Sequence, residues 1–172
     1  MNKIAAEYKE KINFKFFNTP WGICLSAFSA KGLCALFLGE MRTVLEAELA
    51  GRFPEAELEE VDEVMAFDFQ GWLLQPFDGM IDARGTPFQK KVWDAMREIP
   101  CGKTCSYKEL AEQIGSPRSV RAVAGACAAN PIAGIIPCHR VIRSDGGLSG
   151  YRWGKSIKEQ LLKWEKSHAA KT

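Results

Sequence analysis

The segment IIPCHRVIRSDGGLSGYRWG, residues 135–154, is the part of the chain around which we expect the fold to be arranged. It continues an apolar run, residues 132–136, whose composition predicts a buried segment. Pro137 follows, and its fixed φ favours a rigid turn that presents Cys138 at a pocket wall. A cysteine that only fills a core needs no such setting. The segment therefore predicts a reactive thiol.

Basic side chains follow the thiol directly: His139, Arg140 and Arg143. The thiolate is the nucleophilic form of cysteine, and cationic neighbours lower the pKa of a thiol. We therefore expect Cys138 to be ionised by its surroundings. His139 is placed to act as a base, directly or through one water molecule.

A carboxylate for this histidine is predicted from the final helix, where Ser156 and Glu159 have the spacing of a capping box. Glu165 shares one face of this helix with Ile157, Leu161, Trp164 and His168. A carboxylate on an apolar face is costly unless it is paired. Pairing with His139 would give a Cys–His–Glu relay. The periodicity equally allows Glu165 to lie at the exposed edge of a frayed last turn.

A helix-turn-helix pattern precedes the thiol, with helices predicted at 106–114 and about 118–129, joined by Gly-Ser-Pro. One face of the second helix is apolar and predicted to pack inward: Val120, Val123, Ala124 and Cys127. The opposite face is basic at one end and small elsewhere: Arg118, Arg121, Ala122, Gly125, Ala126 and Ala129. Small residues also permit close packing of two helices. The two arginines favour a nucleic-acid surface.

The first half of the chain predicts a small α+β scaffold, assigned to residues 1–84. Its short β-rich runs are INFKFFN, ICLSAFS and LCALFLG. Helical patterns at 41–53 and 64–74 are separated by an acidic loop. A second domain, 85–172, then begins with Thr86-Pro87-Phe88-Gln89, which has the form of a capping box with proline at the first helical position.

Charge is unevenly distributed along the 172 residues. Residues 1–85 hold 8 lysines and arginines against 14 aspartates and glutamates, whereas residues 86–172 hold 15 against 7. A basic second half favours a polyanionic partner, and simple solubility is the alternative.

The composition is that of a globular protein, with 47% hydrophobic and 26% charged residues. The sequence has no membrane-length apolar run and its first residues lack a signal-peptide core, so we expect a cytoplasmic protein without a membrane partner. The six cysteines are expected to be free thiols. No C-x-x-C pair is present and histidines are few, so we predict neither a metal site nor a cofactor.

Three stretches of the second half, residues 85–117, 118–131 and 135–154, resemble the O6-alkylguanine-DNA alkyltransferases, also called methylated-DNA–protein-cysteine methyltransferases. The similarity is greatest to the C-terminal domain of the bacterial adaptive-response protein and its free-standing relatives, and it covers residues 85–165. The resemblance implies an α+β fold. In that fold a small strand-rich, ribonuclease-H-like N-terminal lobe is joined to a mostly helical C-terminal lobe with a winged helix-turn-helix-like DNA-binding motif.

The resemblance also implies catalytic roles. Cys138 matches the acceptor thiol, His139 its base, and Glu165 the carboxylate that orients the histidine. Tyr107 matches the tyrosine that donates to the guanine and helps to rotate the nucleotide. Asn130 matches the asparagine that ties the recognition helix to the cysteine segment.

Contacts to DNA are implied in the same way. Arg121 matches the arginine finger that fills the space of a flipped base, and the recognition helix enters the minor groove of double-stranded DNA. Its other predicted contacts are Arg118, Ala122, Gly125, Ala126 and Ala129. The base pocket is predicted to be formed by Pro137, Val141, Tyr151, Arg152 and Trp153. The bulky Trp153 predicts poorer acceptance of benzyl than of methyl groups.

The function implied is repair of O6-alkylguanine in DNA by a monomeric protein that transfers the alkyl group irreversibly to its own Cys138. Acceptance of O4-alkylthymine is left open. A lesion sensor that flips the base without transfer is one alternative, and such proteins replace the acceptor cysteine. A transcription regulator is another. A cysteine protease is disfavoured because nothing near the thiol indicates an oxyanion hole.

Overall fold

A computed structural model describes residues 9–62 and 68–169. The beginning of the helical pattern predicted at 64–74 falls outside the described residues, and so does the start of the chain. The described residues form an N-terminal sheet followed by a largely helical second half. The predicted α+β class is confirmed.

The N-terminal sheet is built from four strands, three of which follow the predicted β-rich runs. They are β1 (Lys11–Thr19), β2 (Gly22–Ser29), β3 (Gly32–Gly39) and β4 (Glu57–Glu60). The order is β3-β2-β1-β4, with antiparallel hairpins except for the parallel β1–β4 pair. The prediction of an acidic loop between the two helical patterns is therefore wrong at Glu57–Glu60. Glu57–Glu60 is a mostly exposed edge strand, and charged side chains are common at a sheet edge.

Six α-helices accompany the sheet within residues 9–62 and 68–169. They are α1 (Arg42–Arg52), α2 (Phe69–Leu74), α3 (Pro87–Arg97), α4 (Tyr107–Gln113), α5 (Val120–Ala128) and α6 (Lys155–His168). The predicted capping box of α3 is present, and Ser106 with Glu109 caps α4 in the same way. The box predicted for α6 is wrong. That helix begins two residues earlier than predicted, with Gly154 in the N-cap position, and the Ser156 hydroxyl accepts a hydrogen bond from Gln160 instead.

Two backbone pairings hold the thiol segment and the residues before it, one within the second half and one with the N-terminal sheet. The short strands β5 (Cys105–Ser106) and β6 (Val141–Ile142) pair in parallel. Residues 131–133 extend the edge of β3, because Leu36 donates to Pro131 and Ala133 donates back to Leu36, at 2.9 and 2.8 Å. The predicted buried run at 132–136 is confirmed, and it lies on the edge of the N-terminal sheet.

One hydrophobic cluster contains residues from both halves of the chain. Trp21 at the start of β2 shows this directly, since its ring contacts Phe69 edge-on at 5.6 Å and Trp164 of α6 at 5.5 Å. No helix in the described ranges has the length and apolar character needed to span a bilayer.

Replacing Thr86 by alanine tests the cap at the head of α3. The hydroxyl accepts from the Gln89 N–H at 3.2 Å, so its loss should lower the free energy of unfolding by about 1 kcal/mol. Urea denaturation measures the change. Thr104→Ala, at an exposed threonine between helices, is the control and should change stability by less than about 0.5 kcal/mol. Equal losses in both variants would show that the cap contributes nothing specific.

Candidate active site

The thiol of Cys138 opens a 3-10 turn, Cys138–Arg140, and is buried. The Asn130 side-chain amide donates to Sγ at 3.1 Å and to the carbonyl of Ile136 at 2.7 Å. Its oxygen accepts from the N–H of Ile132 at 2.9 Å. Asn130 follows α5 directly, so this one side chain holds the end of that helix and the thiol in a fixed relation.

The thiol is protonated in the unreacted protein. Burial raises the pKa of Cys138 to about 11, although the hydrogen bond from Asn130 and the charge of Lys158 act in the opposite direction. The expectation of a sulfur made anionic by its neighbours is therefore wrong. Arg140 faces a carboxylate instead of the thiol, and Arg143 is exposed and pairs with Asp145 at 2.9 Å. Reaction at this sulfur requires a base.

His139 follows the thiol directly in the chain, and its ring is held in one orientation and one protonation state. Its Nε2 lies 2.6 Å from Oε1 of Glu165, and both side chains are fully buried. Burial lowers the pKa of His139 despite the nearby carboxylate, so the ring is neutral. The single ring proton belongs on Nε2, facing Glu165, which leaves a lone pair on Nδ1. Nδ1 is buried and has no hydrogen-bond partner among the described residues, so it is available to accept a proton.

Glu165 is the centre of a buried network. Arg140 donates to both carboxylate oxygens, from Nε at 3.0 Å and Nη2 at 2.8 Å, and the Gly102 N–H adds a bond at 3.1 Å. Burial raises the pKa of Glu165, but hydrogen bonds from His139 and Arg140 outweigh it and hold the pKa below its usual range. The frayed-turn alternative is thereby excluded.

Arg140 also reaches two backbone carbonyls. Nη1 donates to Ile99 at 2.6 Å, and Nη2 to Leu73 at 2.8 Å. The sequence prediction missed this role and treated Arg140 only as a cation near the thiol. Its position inside a run of buried residues was the available signal, because a buried arginine needs partners.

A cavity of about 440 Å³ has the thiol on its wall. It is lined by Tyr107, Ala124, Cys127, Ala128, Cys138, Ser149, Gly150, Tyr151 and Arg152. The structure thus brings Tyr107, Tyr151 and Arg152 to the thiol, as the resemblance implied.

Three residues predicted for the base pocket do not line this cavity. Pro137 lines a separate cavity on the Arg140 side, and Val141 is fully buried in its pairing with Cys105. Trp153 lies behind Tyr151, with ring centroids 5.3 Å apart. None of the three side chains forms the surface of the thiol cavity.

Lys158 is a site residue that the sequence prediction did not identify. It is fully buried, and Nζ donates to the Val141 carbonyl at 2.6 Å and to the Ser149 hydroxyl at 3.2 Å. The same hydroxyl lies 2.5 Å from that of Tyr107. Burial lowers the pKa of Lys158. Its i, i+7 spacing to Glu165 on α6 was the available signal, but a lysine is ordinarily read as solvated.

The predicted surface of α5 is largely, but not entirely, exposed. Arg118, Arg121, Ala122 and Gly125 are exposed, and Ala129 is half-buried. The prediction that Ala126 contacts DNA is wrong, because this residue is only 2% exposed. Its backbone carbonyl accepts a hydrogen bond from Trp93 Nε1 at 2.8 Å. The helical step turns Ala128 outward in its place. Ala124, predicted to be internal, lines the cavity.

Gly125 is not required by packing within the protein. A Cβ added there would meet no other atom within 4 Å. Glycine in a helix interior lowers helix stability relative to alanine. The backbone of this exposed turn of α5 is therefore open to close approach from outside the chain.

Within the described ranges, no group of three or more histidine, cysteine, aspartate or glutamate side chains is placed to hold a metal ion.

Comparisons with known proteins give consistent matches. A family model described as "6-O-methylguanine DNA methyltransferase, DNA binding domain" matches residues 87–167. The chain is 41% identical over 156 residues to the methylated-DNA–protein-cysteine methyltransferase of Methanosarcina acetivorans, covering 90% of this chain and 98% of that protein.

Two further matches extend the comparison. The chain is 51% identical over 160 residues to the "Bifunctional transcriptional activator/DNA repair enzyme Ada" of Escherichia coli, covering 90% of this chain but only 45% of that protein. The crystal structure of Mycobacterium tuberculosis OGT in complex with DNA superposes with a TM-score of 0.74 at 36% identity, covering 91% of this chain and 94% of that one.

Titration of the thiol tests the electrostatics of the site. The ultraviolet absorbance of thiolate is measured against pH in the wild type and in Cys138→Ser. The difference between the two curves reports Cys138 and should rise with a midpoint near pH 11. Circular dichroism recorded in parallel confirms that the fold persists. A midpoint below the ordinary value of 9.0 would mean that the thiol is activated before any partner binds.

Proposed function

The chain belongs to the 6-O-methylguanine DNA methyltransferase family, and we propose that it repairs DNA by moving an alkyl group from O6 of guanine to Cys138. The observation that carries this proposal is the buried Cys138 thiol on a cavity wall, followed in the chain by a neutral histidine whose imidazole is paired with an ionised carboxylate. O6-Alkylguanine in double-stranded DNA is the proposed substrate.

The damaged base must leave the helix to reach this sulfur. Extruding a base from a duplex costs a few kcal/mol. The cavity beside the thiol falls within the size range of pockets that hold small molecules. Tyr151 offers an aromatic surface for the base, and the Tyr107 hydroxyl at the cavity wall is placed to donate a hydrogen bond to it.

The transfer is a displacement at the alkyl carbon. As sulfur forms its bond to that carbon, the thiol proton passes to Nδ1 of His139, directly or through one water molecule. The carbon–O6 bond breaks with its electron pair remaining on the guanine, where the hydrogen bond from Tyr107 stabilises the developing charge. The imidazolium that forms is paired with Glu165.

The product limits each molecule to one reaction. Cys138 becomes a thioether, and a thioether offers no leaving group from which the thiol is regenerated. The protein therefore acts as a stoichiometric reagent.

The exposed face of α5 is the proposed DNA-binding surface. It combines Arg121 with Ala122, Gly125 and Ala128, and Arg118 lies in the exposed turn just before the helix. Two cations thus lie at one end of a surface with little side-chain bulk. Such a surface suits the minor groove, which is narrow. Arg121 is proposed to occupy the space of the extruded base. The solved DNA complex of the similar mycobacterial protein supports DNA as the partner.

Several broader expectations are part of the proposal. The first half is a domain of residues 1–84 and the second a domain of residues 85–172. The protein acts as a monomer in the cytoplasm. Its six free cysteines fit a reducing compartment. A non-transferring lesion sensor is disfavoured because Cys138 is present.

Alkyl transfer is tested by mixing the protein with a duplex oligonucleotide that contains one O6-methylguanine. Mass spectrometry of the digested protein should find one added methyl on the peptide that contains Cys138. Cys138→Ala should abolish transfer, whereas Cys101→Ala should retain it, because Cys101 is not in the thiol cavity. Correctly folded wild-type protein that takes up no methyl would refute the function.

Bulk on the exposed face of α5 tests the DNA surface. Gly125→Gln should weaken binding of duplex DNA by roughly tenfold, about 1.4 kcal/mol. The same change should not destabilise the fold, since the position is open. Gly51→Gln is the matched control, because Gly51 is an exposed glycine in α1 with equally open surroundings. Fluorescence anisotropy measures binding, and equal affinities in the two variants would remove α5 from the interface.

A further inference from the structure

The cavity wall that faces the thiol is a segment with little backbone support. Residues 149–153 lie outside the helices and strands. Among the described residues, a single backbone–backbone hydrogen bond involves this segment, from the Gly154 N–H to the Tyr151 carbonyl at 3.0 Å. Gly150 has open space around its Cα. The position of this wall therefore depends on its side chains.

Arg152 anchors the wall to the first half of the chain. Its Nε and Nη2 both donate to Oε1 of Glu48 in α1, at 2.8 and 2.6 Å, and the two side chains are about three-quarters buried. Nη1 donates to the carbonyl of Ala128, the last residue of α5, at 3.3 Å. The guanidinium also lies over the Phe37 ring, 5.8 Å from its centre. One side chain thus connects the wall, the scaffold and the proposed DNA-binding helix.

Packing alone does not hold the wall in place. A second cavity of about 710 Å³ lies on its other side, lined by Glu48, Arg152 and Trp153 together with the exposed side chains of Met41 and Val44. The indole N–H of Trp153 is buried and has no hydrogen-bond partner among the described residues. Arg152 is therefore part of a partition between two cavities, and space exists into which the wall can move.

We propose that Glu48 is a positioning residue that limits the size of the alkyl group the site accepts, by fixing Arg152 and with it the wall of residues 149–153. This inference rests on the proposed alkyl transfer. Glu48 contributes no reacting atom. While its carboxylate holds the guanidinium, the thiol cavity keeps its present width, which suits a small group such as methyl. When the pair is lost, the wall moves toward the second cavity and a larger group fits.

The test compares rates of transfer to Cys138 from duplexes that carry either O6-methylguanine or O6-benzylguanine at the same position. Glu48→Gln keeps the size of the side chain but removes the charge. It should raise the ratio of benzyl to methyl rate constants by roughly fivefold, as expected when a partly buried ion pair is weakened. The matched control is Glu46→Gln, an exposed glutamate on the same helix, which should leave the ratio unchanged.

A double-mutant cycle with Arg152→Gln shows whether the two residues act together. If Glu48 acts through Arg152, the double variant should have the ratio of Arg152→Gln alone. Methyl transfer by the wild type with an unchanged ratio in Glu48→Gln would overturn the inference and leave the proposed function intact. Equal slowing of both substrates would also overturn it, because that result indicates a general loss of structure.

Hydrogen exchange in residues 149–153 provides a readout that needs no substrate. Glu48→Gln should increase exchange in this segment relative to Glu46→Gln, with no change at β1. Unchanged exchange would overturn the inference even if the protein transferred no alkyl group.

Discussion

The whole site depends on one buried carboxylate. Glu165 has no exposed surface, so it is tolerable as an anion only because Arg140, His139 and the Gly102 N–H all donate to it. Arg140 supplies the compensating charge and, through the carbonyls of Leu73 and Ile99, ties α2 and the end of α3 to α6. Removing one member of such a network leaves an uncompensated charge, at a typical cost of 3–5 kcal/mol. The orientation of His139 is therefore fixed by the same contacts that hold these elements together.

Charge balance in this network explains how an unreactive thiol becomes a nucleophile. Arg140 already compensates Glu165, so the neutral form of His139 is sufficient at rest, and burial favours that form. The Cys138 thiol is likewise neutral, which protects it from solution oxidants and electrophiles. In the proposed transfer, the proton that passes from Cys138 to His139 creates an imidazolium beside a carboxylate that is already aligned. Because the donors and acceptors are in place beforehand, little reorganisation accompanies the reaction.

Sequence patterns predicted the elements well and their partners less well. Periodicity placed Glu165 on the buried face of the last helix, and the capping chemistry of Thr86 and Ser106 gave correct helix starts. The errors have a common cause. The last helix begins two residues before its predicted start, which removed the Ser156 cap. On α5 the outward position is Ala128 and not Ala126. Sequence periodicity predicts helix boundaries and faces only to within about one or two residues. Which side chains remain exposed for binding depends on the elements that pack against the helix.

Partners distant in the chain could not be deduced from local patterns. The thiol and its neighbours pointed to a reactive cysteine, but the carbonyls that receive Arg140 and Lys158 carry no side-chain signature in the sequence. The same holds for Glu48, which appears as one of several surface glutamates in an amphipathic helix until its distance from Arg152 is known.

The acidic first half is more than a support for the second. It supplies no reacting atom, yet it reaches the site at three separate points: the edge of β3 carries residues 131–133, Leu73 receives Arg140, and Glu48 receives Arg152. These contacts act respectively on the approach to the thiol, on the base and on the cavity wall. In the proposed reaction each molecule acts once, so the accuracy of that one reaction matters more than rapid turnover. The contacts that position the site come from both halves of the chain. This arrangement favours accuracy, because no loop of the second half alone sets the width or alignment of the site.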